Sequence, residues 1–292
     1  MTRRRGEEGM ILVNVLMFVA IAAGLVLLMI NREELALDRG LRTREAARAL
    51  AIVRGGELSA LVALRRDAEQ SPEVDHIGEP WAKLSESGAP IEGGRFDLAI
   101  ADAEGRFNIN SVRTGQVAST ILFQTIGNQV GLTPEQIVAA VEYVRLRGPV
   151  TDLRPLRMAG VEPKVADRLE RLVTALPGTT TLNLNTADQE MLALLFRDPL
   201  VAQRLVAIRD RQGFLTAKDL TDQNVSLPWG TSFRSNTFWV RTRATIGGTS
   251  QQAATLIQRR RMEDGSVEVV PVERWRNAAV PPGAPALPAM KG

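Results

Sequence analysis

The feature that most constrains this chain is the apolar run Met10–Ile30, which only Asn14 interrupts with a polar side chain and which follows a short polar leader. A helix of about 20 residues crosses the hydrocarbon core of a bilayer, so the run predicts a membrane span. It is longer than the apolar core of a secretory signal peptide, and no Ala-x-Ala site stands directly before Asn31, where the run ends. Three arginines in the leader bias the N-terminus toward the cytoplasm, which places the rest of the chain outside.

The junction between leader and span resembles the type IV prepilin signal, because the leader ends in Gly9 and the apolar run follows without a spacer. This resemblance implies that a prepilin peptidase cuts between Gly9 and Met10 and that Met10 is then N-methylated. Pilins usually carry Glu at the fifth mature position, where this chain has Asn14. The resemblance implies that this Glu neutralises the free N-terminal amine of a neighbouring subunit in the filament. The neutral amide of Asn14 cannot offset such a buried charge. Asn14 therefore either rules out the pilin interpretation or marks a filament-packing position in a subunit that has no neighbour needing this partner.

Composition excludes several kinds of catalysis. The chain has no Cys, which rules out disulfides and thiol chemistry. It has a single His and a net charge of +3. His76 lies beside Asp75 and Glu79 in a loop-like stretch; catalysis, a metal role and an exposed loop are the alternatives for it, and the exposed loop is favoured. No nucleophile–base pair, phosphate loop or metal-ligand spacing stands out. We expect no enzyme activity and no cofactor, and we leave calcium open.

Beyond the membrane, apolar residues recur at helical spacing between Leu50 and Leu64, which predicts a long helix continuing toward residue 68. Gly40, Gly55 and Gly56 suggest bends within it, and a membrane anchor followed by a separate stalk helix remains the alternative. Residues 69–94 are rich in Pro and Gly and predict loops. Alternation around Phe96–Ile100 and Phe107–Ile109, with a turn between them, predicts a β-hairpin.

A helical region follows and contains an internal repeat. The blocks FNINS (107–111) and LNLNT (182–186) share alternating apolar and Asn residues. Two later blocks, residues 137–153 and 200–220, each consist of an apolar helical stretch followed by a Gly, a Thr and Asp-Leu. In each later block the Gly is predicted to end a helix and the Thr to cap the next. Thr133 before Pro134 and Thr186 before Gln189 predict two further helix N-termini.

The last part of the fold is predicted to be β. Residues 236–247, 253–261 and 267–275 read as three strands, and the turn before the last strand contains Asp264-Gly265. Together with the hairpin, these strands predict one antiparallel sheet on the long helix, interrupted in sequence by the helical region. Arg259–Arg261 are predicted to lie on a solvated strand end. Residues 276–292, rich in Ala and Pro, are predicted to be disordered.

These motifs in this order resemble general secretion pathway protein K, the atypical minor pseudopilin family of type II secretion systems, over about residues 1–275. The resemblance implies an α+β fold: a transmembrane, pilin-like long helix on an antiparallel sheet, with an inserted α-helical region of two SAM-like or helix-hairpin-helix-like modules. The resulting boundaries are a leader at 1–9, the membrane part of the helix at 10–30, the helix and hairpin at 31–110, a first helical module at 111–181, a second at 182–235, terminal strands at 236–275 and a tail at 276–292.

The same resemblance implies a role in protein export across the outer membrane, at the tip of the periplasmic pseudopilus. The expected partners are minor pseudopilins I and J, the other pseudopilins and the prepilin peptidase. The expected location is the bacterial inner membrane, crossed once, with a cytoplasmic N-terminus and a periplasmic head. One departure is that the Trp-Asp-rich stretch usual in the first module is replaced by Val141–Arg145, which puts in doubt any calcium or partner contact made there.

The alternative is a membrane-anchored helix-hairpin-helix DNA-binding protein of the DNA-uptake kind. Such units use a Gly-hydrophobic-Gly turn whose backbone amides meet phosphates. The second module has Asp198 and Pro199 at this turn, which supply a negative charge and remove an amide. We therefore expect packing modules for protein contacts and no nucleic-acid partner.

Overall fold

A computed structural model describes residues 7–71, 73–157, 160–281 and 283–287 of the chain. Helix α1 runs over Glu7–Gln70, and its 64 residues span about 95 Å at about 1.5 Å per residue. It continues through Gly40, Gly55 and Gly56, so these glycines do not end or divide the helix. The membrane span and the stalk are therefore one continuous helix.

A five-stranded antiparallel sheet packs on the second half of α1. Its strands stand in the order β1-β2-β7-β8-β9. Their bounds are Glu86–Ile91 for β1, Gly94–Asp102 for β2, Thr237–Ile246 for β7, Thr249–Arg261 for β8 and Val267–Arg276 for β9. The three C-terminal strands and the single sheet interrupted by a helical region are confirmed.

The predicted hairpin of Phe96–Ile100 with Phe107–Ile109 is wrong. β2 pairs with β1 on one side and β7 on the other, and β1 lies in the segment that was predicted to be loops. Phe107–Asn108 forms the short strand β3, which pairs in parallel with β4, Val173–Thr174. The alternation at residues 107–109 is real, but it belongs to the helical region rather than to the sheet.

The core of the head forms where apolar residues of α1 face the sheet. Ala49, Ala60 and Leu64 are fully buried against strands β2, β7 and β8. The approach is closest at Gly56, where an added Cβ would lie 2.6 Å from the Phe96 ring. Burial of one face of α1 by the sheet explains why this half of the helix is fixed in place.

The helical region lies between β2 and β7 and has one continuous apolar core. Its first module contains β3, a 3-10 turn at Ile109–Thr114, α3 (Val117–Val130), α4 (Pro134–Arg147), α5 (Arg154–Arg157), α6 (Pro163–Leu172) and β4. Its second module contains β5 (Leu182–Asn183), α7 (Gln189–Phe196), α8 (Pro199–Gln212), α9 (Ala217–Asp222) and β6 (Thr231–Ser232). A short four-residue helix, α2 (Pro80–Lys83), precedes β1.

The internal repeat is visible in the structure. Each module opens with a short strand that pairs in parallel with the short strand closing it. The predicted cap at Thr133 is confirmed, since it forms a capping box with Gln136. The predicted cap at Thr186 is wrong: Asp188 caps α7, and the Thr186 hydroxyl instead donates to Asp102 Oδ2.

The C-terminal tail differs from its prediction over the part that the structure describes. Residues Asn277–Ala279 form a 3-10 turn, and Ala284 is buried. Arg106 donates to the Gly283 carbonyl at 3.1 Å and Arg241 to the Pro285 carbonyl at 3.0 Å, because these arginines are partly buried and need acceptors. Residues 288–292 of the predicted tail lie outside the described residues.

Candidate assembly site

The membrane half of α1 leaves its apolar side chains uncovered. Every residue from Leu12 to Arg44 is exposed except Gly24, which is half-buried, and the helix from Leu12 is long and apolar enough to cross a membrane. Asn14 is exposed on this segment. Gly9 and Met10 lie in the first turns of α1, and residues 1–6 of the leader lie outside the described part of the chain. Cleavage between Gly9 and Met10 stays a prediction.

At the opposite end of α1, the helix, the sheet and the second module meet around a buried group of charges. The carboxylates of Asp67, Asp75 and Glu79 lie within 4.8 Å of one another. Arg259 on β8 donates to Asp67 and Asp75, each at 2.5 Å, and its guanidinium lies 4.5 Å from the centre of the Phe238 ring. The prediction that Arg259 lies on a solvated strand end is wrong, because its side chain is 2% exposed.

Three acids against one base leave this group with excess negative charge. Burial raises the pKa of the Asp67 carboxyl to about 7, although Arg259 opposes that shift. Glu79 accepts from the Trp81 indole and from the His76 amide, each at 2.9 Å. The His76 ring instead lies against Phe214 and accepts from the Gly78 amide, so it does not join the carboxylates. Arg259 therefore forms ion pairs with two of the three acids, Asp67 and Asp75, while Glu79 is held by its two neutral donors.

A second buried carboxylate, that of Asp102 at the end of β2, joins the sheet to the second module. Its Oδ2 accepts from Asn183 at 2.8 Å, Thr186 at 2.5 Å and Ser235 at 2.6 Å. Asn183 also donates to the backbone carbonyl of Asp75 at 3.0 Å. The contacts around Asp102 are thereby joined to the segment that carries Asp75. These contacts fix the helical region to the C-terminal end of α1, opposite the exposed apolar segment that begins at Leu12.

Nearby Glu104 is a buried acid without a matching base. Burial raises its pKa to about 8. Neither oxygen of its carboxyl reaches hydrogen-bonding geometry with the described residues. Glu104 is therefore held protonated over most of the neutral range.

The turn that could meet phosphates in a DNA-binding unit is occupied by the chain's own carboxylate. Asp198 caps α8 by accepting from the amides of Leu200 at 2.8 Å and Val201 at 3.2 Å, and Pro199 supplies no amide. Phosphate binding at this helix N-terminus would need those same amides and would meet a like charge. The geometry opposes a phosphate contact there.

Comparison with known proteins agrees with the architecture. The family model described as type II secretion system (T2SS), protein K matches residues 182–229, which cover most of the second module. The type II secretion system protein K of Pseudomonas aeruginosa is 29% identical, and the alignment covers 91% of this chain and 92% of that protein. That of Klebsiella pneumoniae is 25% identical, with 90% and 95% covered.

The chain is similar to protein K of type II secretion systems over about nine tenths of its length. Its fold matches a chain in the crystal structure of the GspK-GspI-GspJ complex from the enterotoxigenic Escherichia coli type 2 secretion system, with a TM-score of 0.62. Identity to that chain is 18%, and the match covers 82% of this chain and 99% of that one. The long helix, the sheet and the inserted helical region are thus a protein K architecture.

Sequence reasoning missed the role of Asp67 and misplaced that of Arg259. The available signal was strand alternation: Arg259 stands two residues after Ile257, so both point to the same face of β8, and Ile257 is fully buried. Along the chain, Asp75 and Glu79 are neighbours of His76, whereas in the structure their carboxylates lie with Asp67 and Arg259 instead.

Proposed function

We propose that this chain is the minor pseudopilin K of a type II secretion system, which assembles at the tip of the periplasmic pseudopilus for protein export across the outer membrane. Its partners would be minor pseudopilins I and J, since the similar Escherichia coli chain belongs to a complex of GspK, GspI and GspJ. α1 would anchor it in the inner membrane with a cytoplasmic N-terminus and a periplasmic head. The role is structural, and no step in it requires catalysis.

The observation that carries this proposal is the position of the helical region. It is fixed to the α1 end near Asp67, about 55 Å along the helix from Ile30 at about 1.5 Å per residue. In a filament whose subunits stand with their helices side by side, that end points away from the membrane. A bulky region there would block the surface on which a further subunit would stack.

Asn14 supports the same position. A subunit below others would need a buried carboxylate to offset a neighbour's N-terminal amine, because an unpaired buried charge is costly. Asn14 supplies only an amide. A subunit at the tip can lack that carboxylate without leaving a neighbouring amine unpaired.

Excision of the helical region tests the capping role. Ala103 and Thr237 face each other across β2 and β7, with the Ala103 amide donating to the Thr237 carbonyl at 3.0 Å. Replacing residues 104–236 by Asn-Gly would join these strands by a two-residue hairpin turn. With the head's fold checked by near-UV circular dichroism, we expect longer pseudopili than with the full chain. Unchanged length and composition of the assembly would contradict the capping role.

Processing is tested separately by the mass of the mature chain after co-expression with a prepilin peptidase. We expect the chain to begin at N-methylated Met10, and Gly9→Leu to leave the leader attached. A chain that still begins at Met1 or Thr2 in the presence of the peptidase would make α1 a plain membrane anchor.

A further inference from the structure

The second module joins the head through a seam built mainly from polar contacts. The apolar core that the two modules share contains no described residue of α1 or of the five-stranded sheet. Backbone groups cross the seam instead. The Asn183 amide donates to the Glu104 carbonyl at 2.9 Å, and the Asp75 amide donates to the carbonyl of Phe233 at 2.8 Å. The Ser235 amide donates to Asp75 Oδ2 at 2.9 Å. Attachment of the module therefore depends on hydrogen bonds and charges more than on apolar burial.

On the head side of the seam, Asp102 is held as a carboxylate. Its Oδ1 accepts from the Glu104 amide at 2.7 Å, in addition to the three donors that reach Oδ2. Burial raises the pKa of Asp102, whereas these four donors lower it. Because every contact donates to the carboxyl, the ionised form is favoured. The module brings only neutral donors to it, so a negative charge remains at the seam.

Glu104 lies beside this charge and has no base to pair with. Burial and then the charges of Asp102 and Asp75 raise its pKa to about 8. Arg106 uses its guanidinium on two backbone carbonyls, and Arg259 is engaged by its two ion pairs. Within the described part of the chain, neither carboxyl oxygen of Glu104 has a hydrogen-bond partner. Ionised Glu104 would therefore be a buried charge without a partner, which is costly.

A crevice beside Glu104 offers this charge a place to go once the seam opens. It has a volume of about 560 Å³, and Thr179–Thr181 form part of its wall. Arg234 of the second module and Arg261 of β8 also line it. The Glu104 oxygens are sealed from this space while the seam is closed. Movement of the module away from the head would give the carboxylate water and two arginines in place of two like charges.

We propose that the seam is a proton-dependent latch: protonated Glu104 keeps the second module on the head, and ionisation of Glu104 releases the module. Three further titratable groups lie at this end of α1. Asp67 and Glu79 lie with Arg259 on the head side, and the His76 ring packs on Phe214. Any effect on capping rests on the proposed function, whereas the latch is a property of the single chain.

The direction of the pH dependence follows from the two states of Glu104. The closed seam retains the Glu104 proton up to about pH 8, whereas a hydrated Glu104 releases it near its ordinary pKa of 4.5. The open state therefore binds fewer protons between these two values. The ratio of open to closed seams should rise by up to about tenfold per pH unit over this range and level off above it.

Hydrogen–deuterium exchange of the full chain in lipid nanodiscs tests the latch. The amides of Asp75, Asn183 and Ser235 are followed one by one, by mass spectrometry with electron-transfer fragmentation, from about pH 5 to about pH 9. After correction for the intrinsic exchange rate at each pH, we expect their protection to fall by up to about tenfold per pH unit and to level off above about pH 8. The Leu215 amide, which bonds Asn185 inside the module, should keep its protection.

Three variants locate the titrating group. Glu104→Gln has no proton to lose, so the protection of its seam amides should not change with pH. Glu263→Gln, at an exposed turn, should follow the parent chain. Asp67→Asn removes a buried acid of raised pKa outside the seam, and it should leave the pH dependence of the Asn183 amide unchanged.

Three results would overturn the proposal. The first is protection of the seam amides that pH does not alter in the parent chain, a measurement that needs no variant to fold. The second is a pH dependence that survives in Glu104→Gln or disappears in Asp67→Asn. The third is loss of protection at the Leu215 amide together with the seam, since that would be unfolding of the module rather than its release from the head.

Discussion

Asn110 and Asn185 make the same pair of hydrogen bonds in two successive modules. Asn110 accepts from the Val150 amide at 2.9 Å and donates to the Val150 carbonyl at 2.8 Å. Asn185 does the same with Leu215, at 2.6 Å and 3.3 Å. Val150 and Leu215 each stand two residues after the glycine that ends a helix, Gly148 and Gly213. The repeated Asn thus holds the loop after the central helix of each module.

Asn185→Ala should destabilise the protein by about 3 kcal/mol, because a buried amide and carbonyl of Leu215 would each lose a partner at about 1–3 kcal/mol. The measurement is chemical unfolding of the full chain in nanodiscs, followed by near-UV circular dichroism. Asn128→Ala, at an exposed position on α3, is the control and should change stability by less than about 0.5 kcal/mol. Equal stability of the two variants would show that the Asn185 contacts are not needed.

Arg259→Met should destabilise the protein by about 3–5 kcal/mol, since it leaves the buried carboxylates of Asp67 and Asp75 without their cation. The loss should be larger at about pH 8 than at about pH 5, because the raised pKa of Asp67 lets that carboxyl take up a proton at the lower pH. Arg260→Met, one residue along and exposed, is the matched control.

A double variant isolates the pair. Adding Asp67→Asn to Arg259→Met should recover part of the lost stability, because one of the uncompensated charges is removed. A double variant as unstable as the sum of the two single variants would rule out coupling between Asp67 and Arg259.

Glu104→Gln should remove part of the pH dependence of stability. The folded pKa of Glu104 is raised from 4.5 to about 8, so the folded state holds a proton that the unfolded chain releases. This contribution is fully present below about pH 4.5 and is lost as pH rises through 8, at roughly 1.4 kcal/mol per pH unit. We expect Glu104→Gln to exceed the parent in stability by a few kcal/mol at about pH 8 and to match it at about pH 4.

Unfolding midpoints at several pH values, compared with Glu263→Gln at an exposed turn, provide the measurement. The control should leave the pH profile unchanged. A parent profile identical to that of Glu104→Gln would mean that Glu104 is ionised in the folded state.

Gly55 and Gly56 should respond in opposite directions to the same substitution. An added Cβ at Gly56 meets Phe96 at 2.6 Å and Thr242 at 2.9 Å, whereas Gly55 has nothing within 4 Å. Gly56→Ala should cost about 1–3 kcal/mol through overpacking. Gly55→Ala should stabilise α1 by up to about 1 kcal/mol, because Ala is the better helix former. Thermal unfolding of the two variants checks this, and equal shifts would contradict the close packing of α1 on the sheet.

Local patterns in the sequence were enough to predict the parts of the chain that depend on local forces. The membrane span follows from an apolar run that one Asn interrupts, the terminal strands from period-two alternation, and the Thr133 cap from the side chain and proline beside it. The repeat of Asn-containing blocks predicts two related modules from the sequence alone.

The tertiary structure decided which strands pair and which charges are buried. Residues 107–109 alternate as a strand would, but their partner is β4 rather than β2, because pairing depends on chain segments far away in sequence. Thr186 fits a capping box locally, yet Asp102 takes its hydroxyl. Arg259 belongs to a run of three arginines that the sequence predicts to be exposed. Its side chain is buried because Asp67 and Asp75 reach it when α1 packs on β8. A local pattern fixes what a segment can form, while its partners are set by the packing of the whole chain.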